Sequence, residues 1–164
     1  MAWQCAHPPI SGDKPRILIL GTFPGRESRD QREYYANTRN TFWRIMFDSF
    51  SVPFDNPDYE AKKSVLTDNG VALWDTVICC RTDGARDTDI QKPVYNVGLP
   101  EFIRENGIEL LLFNSGNAFT YYKRGNGKPA VAWQVLPSTS PTFGHMRYDE
   151  KLAAWSEWLK NARP

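Results

Sequence analysis

Three short stretches carry residue types that could do chemistry: "GTFPG" at 21–25, "YYANTRN" at 34–40 and "LPSTSP" at 136–141. The first follows a run of aliphatic residues. Pro24-Gly25 favours a sharp turn, and glycine also lets a backbone approach a ligand with no Cβ in the way. Neither Gly-Lys-Ser/Thr nor Gly-x-Gly-x-x-Gly occurs there, so a phosphate loop does not fit. In the second stretch Asn40 stands just ahead of Phe42 and Trp43, with Asn37 a little upstream. Either can cap the helix that follows. Either can instead aim its amide into a pocket, the carbonyl orienting a water or the amide reading a base edge. In the third stretch two prolines bracket Ser138, Thr139 and Ser140. That describes a stiff connection with a hydroxyl cap. It equally describes a rigid loop of hydroxyls and N–H groups suited to phosphates, contacts that position a nucleic acid without reading it. His145 lies too near these serines in sequence to suggest a Ser-His-Asp triad, and reads as a surface or DNA-facing residue. Phe23, Tyr34, Tyr35 and Phe113 are by default core or rim aromatics, although a base pulled from its stack needs such faces.

The elements that must position these residues are readable from periodicity. Apolar runs at 16–25, 70–80, 108–116 and 130–141 have the near-continuous hydrophobic character of strands buried on both faces. Helical spacing falls between them. Trp43, Met46, Phe47 and Phe50 share one face of a helix over 40–50. A shorter helix over 58–70 stops at Asn69-Gly70, and one over 99–106 opens with Pro100 and ends before Gly107. A last helix over 148–162 stripes Leu152, Trp155 and Leu159, with Asp149 and Glu150 in its first turn and Lys160 in its last. Residues 81–93 read as the most loop-like interior stretch. Strands alternating with helices predict an α/β fold with a parallel sheet covered on both sides. Ligands of such sheets sit beyond the carboxyl ends of the strands, at a switch point. Gly21–Gly25, Asn114-Ser115-Gly116 and the Pro137–Pro141 loop all fall at such ends.

Composition bounds the rest. A chain of 164 residues is expected to form a single domain over 1–164. Its net charge of +1 announces no overall basic field, so any nucleic-acid patch has to be local. No apolar run approaches a membrane span, and no signal peptide opens the chain. The cysteines are Cys5, Cys79 and Cys80; an odd count with two neighbours argues against a disulfide framework. Three thiols and two histidines do not supply a structural zinc or iron–sulfur site. The expectation is a cytoplasmic protein without metal or cofactor, with free thiols and no membrane association.

In chain order these stretches resemble the uracil-DNA glycosylase superfamily. "GTFPG" resembles its first motif, Gly-x-x-Pro-Gly at the end of the first strand, and "LPSTSP" its second, after the last strand. "YYANTRNTFWRI" is similar to the segment after the first motif in mismatch-specific and hypoxanthine-specific members, and the hypoxanthine-DNA glycosylase branch is the nearest in pattern. The resemblance implies a three-layer α/β/α fold on a four-stranded parallel sheet. It implies a monomer that flips a deaminated base out of double- or single-stranded DNA, beside the nucleoid in a bacterium, and hydrolyses its N-glycosidic bond. Hypoxanthine is the expected base, with uracil or xanthine as alternatives.

The resemblance also implies roles. Phe23 occupies the position that in other branches carries a water-holding Asn or acid, so the water falls to Asn40, with Asn37 second. Gly21, Thr22, Phe23, Pro24, Tyr35, Phe113 and Asn114 would bind the base, Phe23 and Phe113 by stacking and Asn114 at its edge. Ser138, Thr139 and Ser140 would hold the DNA backbone. Residues 142–147 would enter the duplex, with Phe143 or Met146 as wedge, His145 as a further contact and Arg147 on a phosphate. Thr38 departs from the usual Pro, and "TFGHM" departs from the small-residue run of the family. Two other readings stay open: a catalytically weak DNA-binding relative, and a small-molecule hydrolase using the same pocket.

Overall fold

The computed structural model describes residues 1–160; the last two residues of the expected final helix lie outside them. Four strands, β2 (Ile17–Gly21), β3 (Val71–Asp75), β6 (Leu110–Phe113) and β7 (Ala132–Val135), pair in parallel in the order β3-β2-β6-β7. The apolar runs make these strands because both faces of the sheet are covered. Ile17 and Ile19 enter one core with α2 (Phe42–Ser49), α3 (Tyr59–Thr67) and α6 (Tyr148–Leu159). Leu18 and Leu20 enter a second core with α4 (Leu99–Asn106) and α5 (Gly116–Asn126). The layers are therefore α/β/α, as expected.

Local signals end the helices where the sequence predicts. The Asp58 carboxylate caps α3 by accepting from Ala61 N at 2.8 Å, and Gly70 follows with φ +70°. Pro100 lies in the first turn of α4, and Gly107 closes it in the left-handed region at φ +66°. In α6, Trp155 and Leu159 are buried, with Phe42 of α2 meeting the Trp155 ring edge-on at 6.4 Å.

The second apolar run does not stay in one sheet. After Asp75 the chain turns at Thr76, and residues 77–81 form β4 (Val77–Arg81) of a separate antiparallel sheet, β1-β4-β5. Its partners are β1 (Trp3–Cys5) and β5 (Gln91–Tyr95), the latter beginning within the stretch expected to be loop. Helices α1 (Arg26–Gln31) and α5 were also not expected. α1 is a short polar turn of helix, and α5 opens on Gly116 and Asn117, a weak start rescued by the Ser115 hydroxyl, which accepts from Ala118 N at 3.1 Å.

The expectation of free thiols is corrected. β1 pairs with β4 so that Cys5 lies opposite Cys79, and the two form a disulfide across 74 residues of sequence. Cys80, the next residue, points the other way and is a buried free thiol. Nothing local predicts the bond, because the pairing of β1 with β4 brings its ends together. In the chain-entropy picture a loop of this length is worth about 4 kcal/mol.

Candidate active site

In the parallel sheet β2 lies between β3 and β6, so connections leave it in both directions and its carboxyl end is the switch point. Side chains alternate along each strand, and the face shared by Ile17, Ile19, Leu73 and Leu112 next presents Gly21, Asp75 and Asn114. Gly21 pairs with Asp75 in register, and Leu20 with Phe113, the residue before Asn114. Three adjacent strands thus end in a row, carboxyl, hydrogen, amide, with the glycine in the middle as a notch.

Tyr35 fills the space above this notch. Its ring stacks on Phe42 at 4.1 Å, and its hydroxyl accepts from Asn114 Nδ2 at 3.0 Å. Its backbone is left-handed, φ +54°, an uncommon place for a bulky residue. A Cβ on Gly21 would stand 2.7 Å from Asp75 Oδ1 and 2.9 Å from the Tyr35 hydroxyl, so only glycine fits. Thr139 ties the row to the 137–141 loop. Its Oγ1 accepts from Asn114 Nδ2 at 2.9 Å, and its N–H donates to Asn114 Oδ1 at 3.0 Å. Its carbonyl accepts from Thr41 N at 3.1 Å, joining the loop to the segment that carries Asn40.

The electrostatics follow from burial. Asp75 is 3% exposed, and desolvation first, then the nearby Asp87, pushes its carboxyl up to about 8. Its Oδ2 is buried without a hydrogen-bond partner among the described residues. Burial also raises the Asp87 carboxyl, against hydrogen bonds from Thr22 Oγ1 at 2.9 Å and Asn117 Nδ2 at 3.3 Å. Burial, and then the Asp75 charge, holds the Tyr35 phenol well above its usual range. Among the described residues no group of three or more His, Cys, Asp or Glu could hold a metal ion.

The structure brings together Gly21, Thr22, Tyr35, Asn114 and Thr139. Phe23 and Pro24 lie just outside them, against the 82–90 segment, with Arg29 over the Phe23 ring at 5.8 Å. Phe113 does not join them. One residue before Asn114, it points to the opposite face, fully buried edge-on against Phe119 and Tyr122, and its expected stacking on a base is corrected to a core role. Thr139 is fully buried as well, so its hydroxyl organises the site and does not face a DNA backbone. The Ser138 hydroxyl accepts from Ser140 N at 3.2 Å and the Ser140 hydroxyl from Thr142 N at 3.3 Å, which stiffens the loop. Asn40 Oδ1 accepts from Phe42 N at 2.9 Å and Asn37 Oδ1 from Arg39 N at 2.9 Å, so both amides brace the entry to α2. Phe143 and the exposed His145 face each other at 4.2 Å on the 142–147 turn. Arg147, expected on a phosphate, pairs with Asp149 at 2.6 Å at the start of α6.

Two residues of the site escaped the sequence reading. Asp75 ends "GVALWD" on the same strand face as Gly21 and Asn114, and an acid closing a buried strand was the available signal. Asp87 lies in the loop-like stretch and gave none. A cleft of about 800 Å³ lies elsewhere, between the N-terminal arm and α1 and α3, and contains none of the strand-end row.

The model of the uracil DNA glycosylase superfamily matches residues 8–160. A hypoxanthine DNA glycosylase from Methanosarcina acetivorans is 32% identical over 137 residues, 81% of this chain and 84% of its own. One from Methanosarcina barkeri is 29% identical over 115 residues, 70% of this chain and 72% of its own. The solution structure of a candidate uracil DNA glycosylase from Methanosarcina acetivorans superimposes with a TM-score of 0.77 at 27% identity, over 98% of this chain and 99% of that one. With that match spanning the sheet and every residue of the strand-end row, the chain belongs to the uracil DNA glycosylase superfamily.

Proposed function

We propose that the protein is a monofunctional DNA glycosylase that hydrolyses the N-glycosidic bond of a flipped deaminated base, hypoxanthine foremost and uracil or xanthine as alternatives. The observation that carries this reading is the strand-end row at the switch point, Asp75-Gly21-Asn114, closed by Tyr35, with Gly21 from the first family motif and Thr139 of the second bonded to Asn114. None of these side chains is an amine that could form a Schiff base with the sugar, which supports water as the nucleophile. Such bonds break through an oxocarbenium-like transition state, which asks the protein to place the water and to hold charge on the departing base. Asn40 is the residue we assign to the water, with Asn37 second. The Oδ1 that braces Phe42 N keeps a second lone pair for that task. The 137–143 loop and Phe143, His145 and Met146 form the surface we assign to DNA, in a cytoplasm that holds the nucleoid.

The test is base release from end-labelled duplexes carrying hypoxanthine, uracil or xanthine, by the intact protein and by Asn40→Ala. Release of hypoxanthine that drops by about 100-fold in the variant supports the assignment. Since the substitution also removes a helix-entry hydrogen bond, worth about 1 kcal/mol, the variant's folding is checked by its melting curve. Unchanged release transfers the role to Asn37. Binding without release of any of the three bases replaces the enzyme with a silent DNA-binding relative.

A further inference from the structure

The notch over Gly21 is faced by two oxygens from neighbouring elements. From the place a Cβ on Gly21 would occupy, Asp75 Oδ1 is 2.7 Å away and the Tyr35 hydroxyl 2.9 Å. Buried polar atoms are nearly always partnered, and each exception calls for an explanation. Asp75 Oδ2 is such an exception, on a side chain 3% exposed. The Tyr35 hydroxyl accepts from Asn114 Nδ2, which leaves its own proton to be donated and strengthens it as a donor. The left-handed backbone at Tyr35 and the stack of its ring on Phe42 hold that hydroxyl in place. Strain of this kind is retained where surrounding structure enforces it, often at functional sites.

Resting on the glycosylase reading, we propose that the Tyr35 hydroxyl and the Asp75 carboxyl are paired hydrogen-bond donors to the exocyclic oxygen of the departing base. Deamination replaces an amino group with an oxygen: adenine becomes hypoxanthine, cytosine becomes uracil. Two donors side by side at the strand ends accept that oxygen, whereas the amino group of the parent base would present hydrogens to hydrogens. The same pair acts on the reaction. When the glycosidic bond breaks, its electron pair stays with the base, and part of the negative charge falls on this oxygen. Fixed donors in a dry site gain strength as that charge develops. A phenol beside a neutral carboxylic acid is known to serve as an oxyanion hole.

The protonation states agree with the geometry. Asp75 has a raised pKa, about 8, and Tyr35 a raised one also, so both carry protons at neutral pH. The titratable groups near Asp75 are Asp87 from the 82–90 segment and Tyr34 and Tyr35 from the segment before α2. None of these is a cation that would favour the carboxylate. The 82–90 segment covers the row through Thr22 to Asp87 at 2.9 Å, Asn117 to Asp87 at 3.3 Å and Arg29 to the Gly84 carbonyl at 3.2 Å.

The experiment is single-turnover release of hypoxanthine against pH for the intact protein, Asp75→Ala, Asp75→Asn, Tyr35→Phe and the Asp75→Ala/Tyr35→Phe double variant, each checked for folding by circular dichroism. Asp75→Ala and Tyr35→Phe are each expected to lose about 100-fold, and the double variant less than the product of the two. The intact enzyme slows as pH rises through about 8. Asp75→Asn keeps an N–H donor on the same stem, retains release at neutral pH and shows no such fall. Folded single variants within about 3-fold of the intact enzyme overturn the proposal. So does an Asp75→Asn profile that falls as the intact one does, which would leave Asp75 a purely structural residue. No release by the intact protein is a different failure: it removes the glycosylase reading, and the donor pair with it.

Discussion

The cleft beside the N-terminal arm has a volume of about 800 Å³, yet its charged groups are largely spent. Lys63 lies 2.7 Å from Glu60, and Arg29 donates to the carbonyls of Pro24 and Gly84. The notch over Gly21 has no room for a Cβ, yet it collects a carboxyl, a phenol and an amide from two strand ends and a loop. Among the described residues each region holds one buried side-chain atom without a hydrogen-bond partner, His7 Nε2 in the first and Asp75 Oδ2 in the second. The two differ in consequence. Burial lowers the His7 pKa, so its imidazole is simply neutral. At Asp75 burial keeps a proton on an acid that otherwise loses it near 3.8. Volume marks where a molecule can rest, whereas a group held out of its ordinary ionisation state marks where chemistry is prepared.

The largest effect expected from this contrast is on stability at alkaline pH. The folded Asp75 pKa is about 8, above the 3.8 of the unfolded chain. Between those values the unfolded chain releases a proton that the fold retains, so stability falls as pH rises from about 4 to about 8 and then levels. Asp75→Asn should therefore melt higher than the intact protein at pH 9, by on the order of several kcal/mol, and differ little at pH 4. Calorimetry at the two pH values measures it. An equal difference at both would show that Asp75 is not the titrating group.

Next comes the cross-link beside the cleft. Reducing Cys5–Cys79 should cost about 4 kcal/mol in thermal melts while leaving base release at 25 °C unchanged, because Cys5 lines the cleft and not the notch. Gly21→Ala should act in the opposite sense. The added methyl collides with Asp75 and Tyr35, so release falls by about 100-fold (some 2.7 kcal/mol of barrier) with a smaller loss of melting temperature. Lys63→Ala in the cleft is the smallest: an exposed pair is worth about 0.2–1 kcal/mol, and release should not change. A marked loss of release in Lys63→Ala would move the functional site into the cleft.

How much of this was legible before folding differs residue by residue. The parallel sheet, four of the helices and the two family motifs follow from local pattern, since apolar runs, caps and turn residues act over a few neighbours. Phe113 shows the limit of reading a motif without its strand. Strand alternation alone puts it on the face opposite Asn114, but that rule needs the strand's end to be known. The single apolar run at 70–80 concealed a change of sheet at Thr76, because Val77–Arg81 is as apolar as Val71–Asp75 and only its partners differ. For Asn40 local pattern allows both a cap and a pocket amide: its Oδ1 braces α2, and the water role belongs to the proposal.

The sequence by itself determined the class of fold, the family and the loops that matter, because hydrophobic period and turn chemistry are properties of neighbouring residues. Tertiary structure alone decided that Asp75 faces Gly21, that Tyr35 closes over both and that Thr139 ties the second motif to Asn114 and to the segment carrying Asn40. It alone paired Cys5 with Cys79. Those facts depend on strand order and register, which are set by the packing of the whole core, and a carboxyl acquires its unusual acidity only when that packing removes it from water.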